Sequence, residues 1–315
     1  MGDVIHALPA AAALRNMSGV ERLDWVINQE LAPLLDGNPC INRVIRFPRR
    51  ALHAIPQFLH DLRREYYHLA VDLQGLLRSA WICKAARTRK IIGFADAREG
   101  ATLFYSKKLS VPPGHALWRN MEAMRQLGAS THTLSFPLPR PALPPGFAVN
   151  PPYIALHPFS KWPTKRLDAE TAQHIIDVLQ PHRVVIIGRG TLQKIAGAED
   201  WSNRTSLSEL LAMVQHARAV ISTDSGPLHI ACACDIPTLG LYGPTDPTKT
   251  GPWTVRSQVV QRALPCVPCL NRSCRWREPH ACLRQLPVED ILEKLLRLLQ
   301  QEGAVHPASS SSDAN

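Results

Sequence analysis

No stretch of this chain is apolar for long enough to cross a bilayer, and no basic segment leads into an apolar core with a cleavage site. The expectation is therefore a cytoplasmic protein. Acidic residues are the scarcer charge, 26 Asp and Glu against 36 Lys and Arg, for a formal net charge of +10. A basic balance favours an anionic partner: nucleic acid, an anionic membrane surface or a phosphorylated substrate. Aromatic residues make up only 6% of the chain. No helix-turn-helix, zinc-finger or RNA-binding signature accompanies the charge, so no nucleic-acid partner is expected. Eight cysteines, unevenly spread over 315 residues, do not form a secreted disulfide framework. No exact internal repeat is present. At this length the chain has room for two domains of ordinary size.

The most informative stretch is Val220-Ile221-Ser222-Thr223-Asp224-Ser225-Gly226-Pro227-Leu228-His229, continuing to Tyr242-Gly243-Pro244-Thr245-Asp246-Pro247. Residues 219–222 suit a buried parallel strand. Thr223 to Gly226 offers helix-capping residues, and Pro227 fits a first helical turn. Residues 229–234 are small and apolar, and 236–242 form the next strand. Free N–H groups and the helix dipole at the end of a strand suit a phosphate. An ordinary capped strand–helix unit is the plainer reading of the same residues.

Earlier in the chain, residues 2–15 predict a helix with Asp3 as N-cap, an apolar face of Val4, Ile5, Leu8, Ala12 and Leu14, and a bend at Pro9. Strands are predicted at 22–28, 43–47, 68–73 and 91–94, with helices at 31–35, 55–65 and from about 116 to 127. The turn Asp72-Leu73-Gln74-Gly75-Leu76-Leu77-Arg78-Ser79 carries a strand into a helix. Lys84, Arg87, Arg89, Lys90 and Arg98 follow it. These cations form either a solvated face or a rim for phosphate and carboxylate groups, with Arg78 first and Arg98 second.

Seven prolines between Pro137 and Pro152 read as a linker. The domains are expected at 1–148 and 149–302, with a disordered serine-rich tail at 303–315. Beyond the linker, strands at 153–158 and 183–188 alternate with helices at 168–179 and 207–217. That pattern reads as a doubly wound parallel sheet. The loop after the first of these strands holds Ser160, Lys161, Lys165 and Arg166, and Gly188 ends the second. Cys266-x-x-Cys269 has zinc-knuckle spacing, but Cys274 and Cys282 do not repeat it. Free thiols, or a disulfide on oxidation, are the alternative. Residues 288–299 form an amphipathic helix.

Taken together, Thr223-Asp224-Ser225-Gly226 with His229 and Tyr242-Gly243-Pro244-Thr245-Asp246-Pro247 resemble the donor-site signature of glycosyltransferase family nine, the ADP-heptose:lipopolysaccharide heptosyltransferases. Gly2-Asp3-Val4 and Gln74-Gly75 match two further motifs of the family in the same order, and the likeness runs from Gly2 to about Leu299. The family's first strand is absent, because the chain starts at the turn that follows it. The resemblance implies an α/β fold of the GT-B architecture, with two facing Rossmann-like domains that are doubly wound parallel sheets. It implies an inverting transfer of heptose from ADP-heptose to a lipopolysaccharide inner-core acceptor, with Asp3 as general base. On the donor side it implies Lys165, with Lys161 in reserve, Ser160, Gly188, Thr223, Asp224, Ser225, Gly226, His229, Gly243 and Thr245. On the acceptor side it implies Gln74, Gly75, Arg78 and Arg98. No cofactor and no metal is expected, and peripheral contact with an anionic membrane surface is. Residues 72–120 are closer to heptosyltransferase I, which uses Kdo-lipid A, and the Cys-rich segment to heptosyltransferase II, so the acceptor is open. Alternatives are a non-catalytic nucleotide-sugar or lipid-binding protein of the same fold, or a transferase for another nucleotide sugar.

Overall fold

In a computed structural model, which describes residues 1–300, the chain divides into two compact units that part between Arg140 and Pro141. The division falls inside the proline-rich stretch, several residues before the expected boundary at 148. The expected tail lies outside the described residues.

The first unit contains α1 (Gly2–Arg15), β1 (Asp24–Asn28), β2 (Arg43–Phe47), α2 (Ile55–Leu62), β3 (Tyr67–Asp72), α3 (Leu77–Ala85), β4 (Thr88–Phe94), β5 (Lys107–Leu109) and α4 (Ala116–Gln126). Three 3-10 segments, Gln29–Leu35, Leu52–Ala54 and Ala101–Phe104, fill connections. The strands form two separate parallel sheets, β1-β2 and β3-β4-β5, instead of the single expected sheet. No strand of the described chain lies between β1 and β3, so each keeps an unpaired edge. A side-chain contact links the two sheets at their amino ends: the Tyr67 hydroxyl donates to Asp24 Oδ2 at 2.6 Å.

Two expectations for α1 are corrected. Met1, not Asp3, stands at the N-cap, because the Met1 carbonyl already accepts from Val4 N at 2.9 Å and Ile5 N at 3.2 Å. Asp3 is exposed in the first turn. The helix is also not one-faced: every residue from Ile5 to Ala13 is buried. Its alanines let α4 approach closely, and Ala10 and Ala13 share a core with Ile92, Phe94, Leu109, Met121 and Met124. The helix runs through Pro9 without interruption.

The second unit holds β6 (Tyr153–His157), α5 (Ala169–Val178), β7 (Arg183–Ile186), β8 (Glu199–Asp200), α6 (Leu207–Gln215), β9 (Ala219–Thr223), α7 (Gly226–Ala233), β10 (Thr238–Tyr242), α8 (Pro247–Thr250), β11 (Ser257–Gln261), α9 (Ala281–Arg284) and α10 (Val288–Gln300). The sheet order is β11-β10-β9-β6-β7-β8, and every pairing is parallel. All residues of β6, β9 and β10 are buried, as a sheet covered on both faces requires. Ile154, Leu156, Ile186, Ile221 and Leu241 pack with Ile175 and Ile176 of α5 and with Ile291 and Leu295 of α10. Each such side chain contributes about 1.5–3 kcal/mol by leaving water. The chain winds outward in opposite directions from β6 and β9. These neighbours therefore form the topological switch point, and their carboxyl ends open the crevice where such sheets bind ligands.

Candidate functional site

Two loops leave the switch point. After β6 the chain runs through Ser160 to Lys165, closed by Leu167 N donating to the Pro158 carbonyl at 3.0 Å. After β9 it passes through Asp224 into α7. Thr223 Oγ1 ties the loops together by donating to the Phe159 carbonyl at 3.0 Å. At the meeting point, Lys165 Nζ lies 2.7 Å from Asp224 Oδ2 and 4.9 Å from the centre of the Trp162 ring. The Asp224 carboxylate is almost fully buried, and its Oδ1 lies 3.8 Å from His229 Nε2. His229 in turn stacks on Trp253, with an interplanar angle of 8°.

Ser225 occupies the N-cap of α7 but makes no side-chain cap bond. Helix geometry leaves the first N–H groups without partners inside the helix, and Pro227 has none to offer. Ser225, Gly226 and Leu228 are then the amides available to an anion. Gly243 sits at the third wall of the crevice, where an added Cβ would come 2.8 Å from Leu283 Cγ. Gln261 spans that wall, donating through Nε2 to the carbonyls of Gly243 at 3.1 Å and Thr245 at 2.8 Å. The Thr245 hydroxyl is buried with no hydrogen-bond partner among the described residues. Gly188 ends the neighbouring loop at φ +107°, a backbone region that L side chains rarely adopt, directly against the His157 ring.

The structure thus gathers Lys165, Thr223, Asp224, Ser225, Gly226, His229, Gly188, Gly243 and Thr245 at one sheet edge. Lys161 is exposed and stands outside the Lys165–Asp224 pair. The Ser160 contribution in the free protein is its carbonyl, which accepts from Arg166 Nε at 2.6 Å.

In the first unit, the turn after β3 is built by Asp72. Its Oδ1 accepts from Gln74 N and Gly75 N, each at 3.0 Å. Its Oδ2 accepts from Ser79 Oγ at 2.9 Å and Tyr105 Oη at 2.7 Å. Burial and the Asp72 carboxylate push the Tyr105 hydroxyl well above its ordinary pKa, so it stays a donor. Arg98 N donates to the Gly75 carbonyl at 2.9 Å, which brings Arg98 to the same turn as Gln74 and Gly75. The Arg78 guanidinium lies over Phe47 at 5.9 Å. Asp3 belongs to a separate element.

Cys266, Cys269, Cys274 and Cys282 line one small cavity with His280, Thr164 and Pro244. All are free thiols. Burial and the three neighbouring cysteines push Cys282 up to about 11. Among the described residues, no group of three His, Cys, Asp or Glu is placed to hold a metal ion. The loop carrying these cysteines braces the crevice: Leu270 N donates to the Pro244 carbonyl at 2.8 Å, and Thr164 Oγ1 to the Asn271 carbonyl at 2.7 Å.

Sequence reasoning missed Asp72, His157, Gln261 and Asn271. An acid closing an apolar strand before Gln-Gly was a usable signal for Asp72. The others act across distances the sequence does not display.

An uncapped helix start with Lys165 beside it, at the switch point of a parallel sheet, is an arrangement that suits a phosphate group. A family model described as "Glycosyltransferase family 9 (heptosyltransferase)" matches residues 55–280. The chain is 32% identical to lipopolysaccharide heptosyltransferase 1 of Pseudomonas aeruginosa, over 88% of this chain and 85% of that protein. It is 28% identical to lipopolysaccharide heptosyltransferase 1 of Escherichia coli K12, over 84% and 91% of the two. Among solved structures, E. coli heptosyltransferase WaaC with ADP superimposes with a TM-score of 0.74, covering 94% of this chain and 96% of that one at 24% identity. The chain belongs to glycosyltransferase family 9, and its α/β fold is of the GT-B class.

Proposed function

We propose that this glycosyltransferase moves heptose from ADP-heptose to the inner core of lipopolysaccharide, with inversion, and that its acceptor is Kdo-lipid A. The observation that carries the donor half is the Lys165–Asp224 pair beside the uncapped start of α7. A diphosphate leaving group accumulates negative charge as the glycosidic bond breaks. Lys165 and the amides of Ser225, Gly226 and Leu228 are preorganised cationic and dipolar partners for it. Asp224, held by Lys165 on one oxygen, keeps its other oxygen for sugar hydroxyls or His229. With these groups in place the scheme requires no metal and no cofactor.

The acceptor half rests on the likeness to heptosyltransferases 1 over most of the chain and on the Asp72 turn, which presents Gln74, Gly75 and the cations Arg78 and Arg98. Asp3 takes the proton from the attacking hydroxyl. As an exposed carboxylate it is open to an incoming acceptor hydroxyl. No helix among the described residues is long and apolar enough to cross a membrane. Peripheral contact is the reading that suits a lipid acceptor. On α3, Leu77 and Trp81 are exposed beside Arg78 and Lys84, a mixture that suits an anionic bilayer surface.

Heptose transfer to Kdo-lipid A by the purified protein tests this reading. Asp3→Asn should lower kcat by about 10²–10⁴-fold with ADP-heptose binding intact, the usual contribution of a general base. Near-normal turnover by Asp3→Asn would remove Asp3 from the chemistry. Transfer to heptosylated acceptors alone would move the acceptor assignment to the second heptose.

A further inference from the structure

We propose that His157 is a positioning residue for the donor diphosphate: its ring holds the Ser225 hydroxyl away from the start of α7, so that the helix meets the nucleotide uncapped. This rests on the donor reading above.

A serine at an N-cap ordinarily turns its oxygen onto the amide of the second or third helical residue. In α7 the second is Pro227, which has no N–H, so Leu228 N is the natural target. Ser225 does not take it. Its Oγ lies instead 2.9 Å from His157 Nδ1, 3.1 Å from the Thr223 carbonyl and 3.1 Å from Ser222 Oγ. The carbonyl can only accept, so the serine hydroxyl donates to it and His157 Nδ1–H donates to the serine oxygen. Ser222 Oγ also donates to the Thr223 carbonyl, at 2.9 Å, which closes the network around one tautomer.

The ring is fixed on its other sides. It ends β6 and is buried. Phe159 stands edge-on to it at 5.9 Å, and an added Cβ at Gly188 would come within 2.5 Å of Nε2. Burial holds its pKa down to about 4, so it is neutral at working pH. A neutral imidazole adds no charge to a site whose cation is Lys165, which leaves orientation as its contribution. If Ser225 swung back onto Leu228, one of the three amides would be occupied. A serine oxygen would also stand where a phosphate oxygen must come.

Two measurements test the proposal on the full chain. The first is ADP affinity by titration calorimetry for wild type, His157→Ala, Ser225→Ala and the double variant. His157→Ala should weaken ADP about tenfold when Ser225 is present and less than twofold in the Ser225→Ala background. His157→Asn, whose amide N–H reaches about where Nδ1 stands, should restore most of the affinity. Should His157→Ala fail to fold, His157→Leu fills the volume without a ring nitrogen and takes its place. The second is hydrogen exchange of the Leu228 amide without nucleotide, which should slow in the His157 variant and recover when Ser225→Ala is added. Equal losses of ADP affinity in both backgrounds, or an unchanged Leu228 amide, would overturn the proposal. A wild-type chain that binds no ADP would count against the donor reading itself, and the exchange measurement would still decide whether His157 restrains Ser225.

Discussion

Asp72 and Asp224 occupy equivalent places in two different units. Each is buried at the carboxyl end of a parallel strand, and each leads into a helix. Their partners differ in kind. Asp72 accepts four hydrogen bonds, all from neutral donors of its own unit. The start of α3 beyond it is also occupied, with Leu76 N on Ser79 Oγ at 3.1 Å and Leu77 N on Glu99 Oε2 at 3.3 Å. Asp224 instead faces Lys165 and His229, and the start of α7 carries no side-chain cap. A saturated carboxylate builds a turn, and a carboxylate paired to a single lysine can exchange that partner for a ligand. The same residue type at the same topological place thus serves architecture in one unit and recognition in the other.

The largest effect expected from this contrast is on stability. Asp72→Ala strands two hydroxyls and two amides, several of them buried. It should cost about 4 kcal/mol in urea unfolding, while ADP affinity, held by the other unit, changes less than twofold. A loss of ADP affinity without a loss of stability would reverse the assignment of roles. Next is Lys165→Ala, which should weaken ADP by about 1.5–3 kcal/mol, the range for a charged hydrogen bond. The unpaired, buried Asp224 should also destabilise the apo protein, and saturating ADP should widen the difference from wild type, which binds it more tightly. Calorimetric titration with ADP reads the first quantity and denaturation the second. Unchanged ADP affinity would transfer the role to Lys161. The smallest effect is that of Arg78→Ala. As a half-exposed cation, it should raise the acceptor KM about fivefold, close to 1 kcal/mol, without changing ADP affinity. A matching fall in ADP affinity would show that the two units do not divide the substrates between them.

Much of this contrast was legible in the sequence, and the unread part has a common cause. Thr223 to His229 stood out because a strand-to-helix turn is a local object, whereas Lys165 was singled out only through the family resemblance. The strands β6, β9 and β10 were found because burial on both faces leaves continuous apolar runs. β5, β8 and β11 were missed: the first two have three and two residues, and β8 and β11 are edge strands. The Asp72 network was hidden because Tyr105 reaches it from 33 positions away. Gly93 is its counterpart: it looks like a weak point in a strand until the Tyr105 ring is seen where a Cβ would stand, at 2.4 Å. The N-cap assigned to Asp3 failed because the helix begins two residues earlier, on the Met1 carbonyl. Uniform burial of α1 could not be read from an alanine-rich segment, since alanine is compatible with either surface or core.

The bond from Thr164 to Asn271 joins residues 107 positions apart, and Leu270 closes on Pro244 in the same loop. The nucleotide crevice therefore has a timetable. During synthesis the lysine loop and the helix start emerge early, but their brace leaves the ribosome roughly five to twenty seconds after Thr164, at ordinary elongation rates of about 5–20 residues per second. Until then the nascent chain carries the binding groups without the wall that holds them, so nucleotide capture becomes a late event in the birth of the protein.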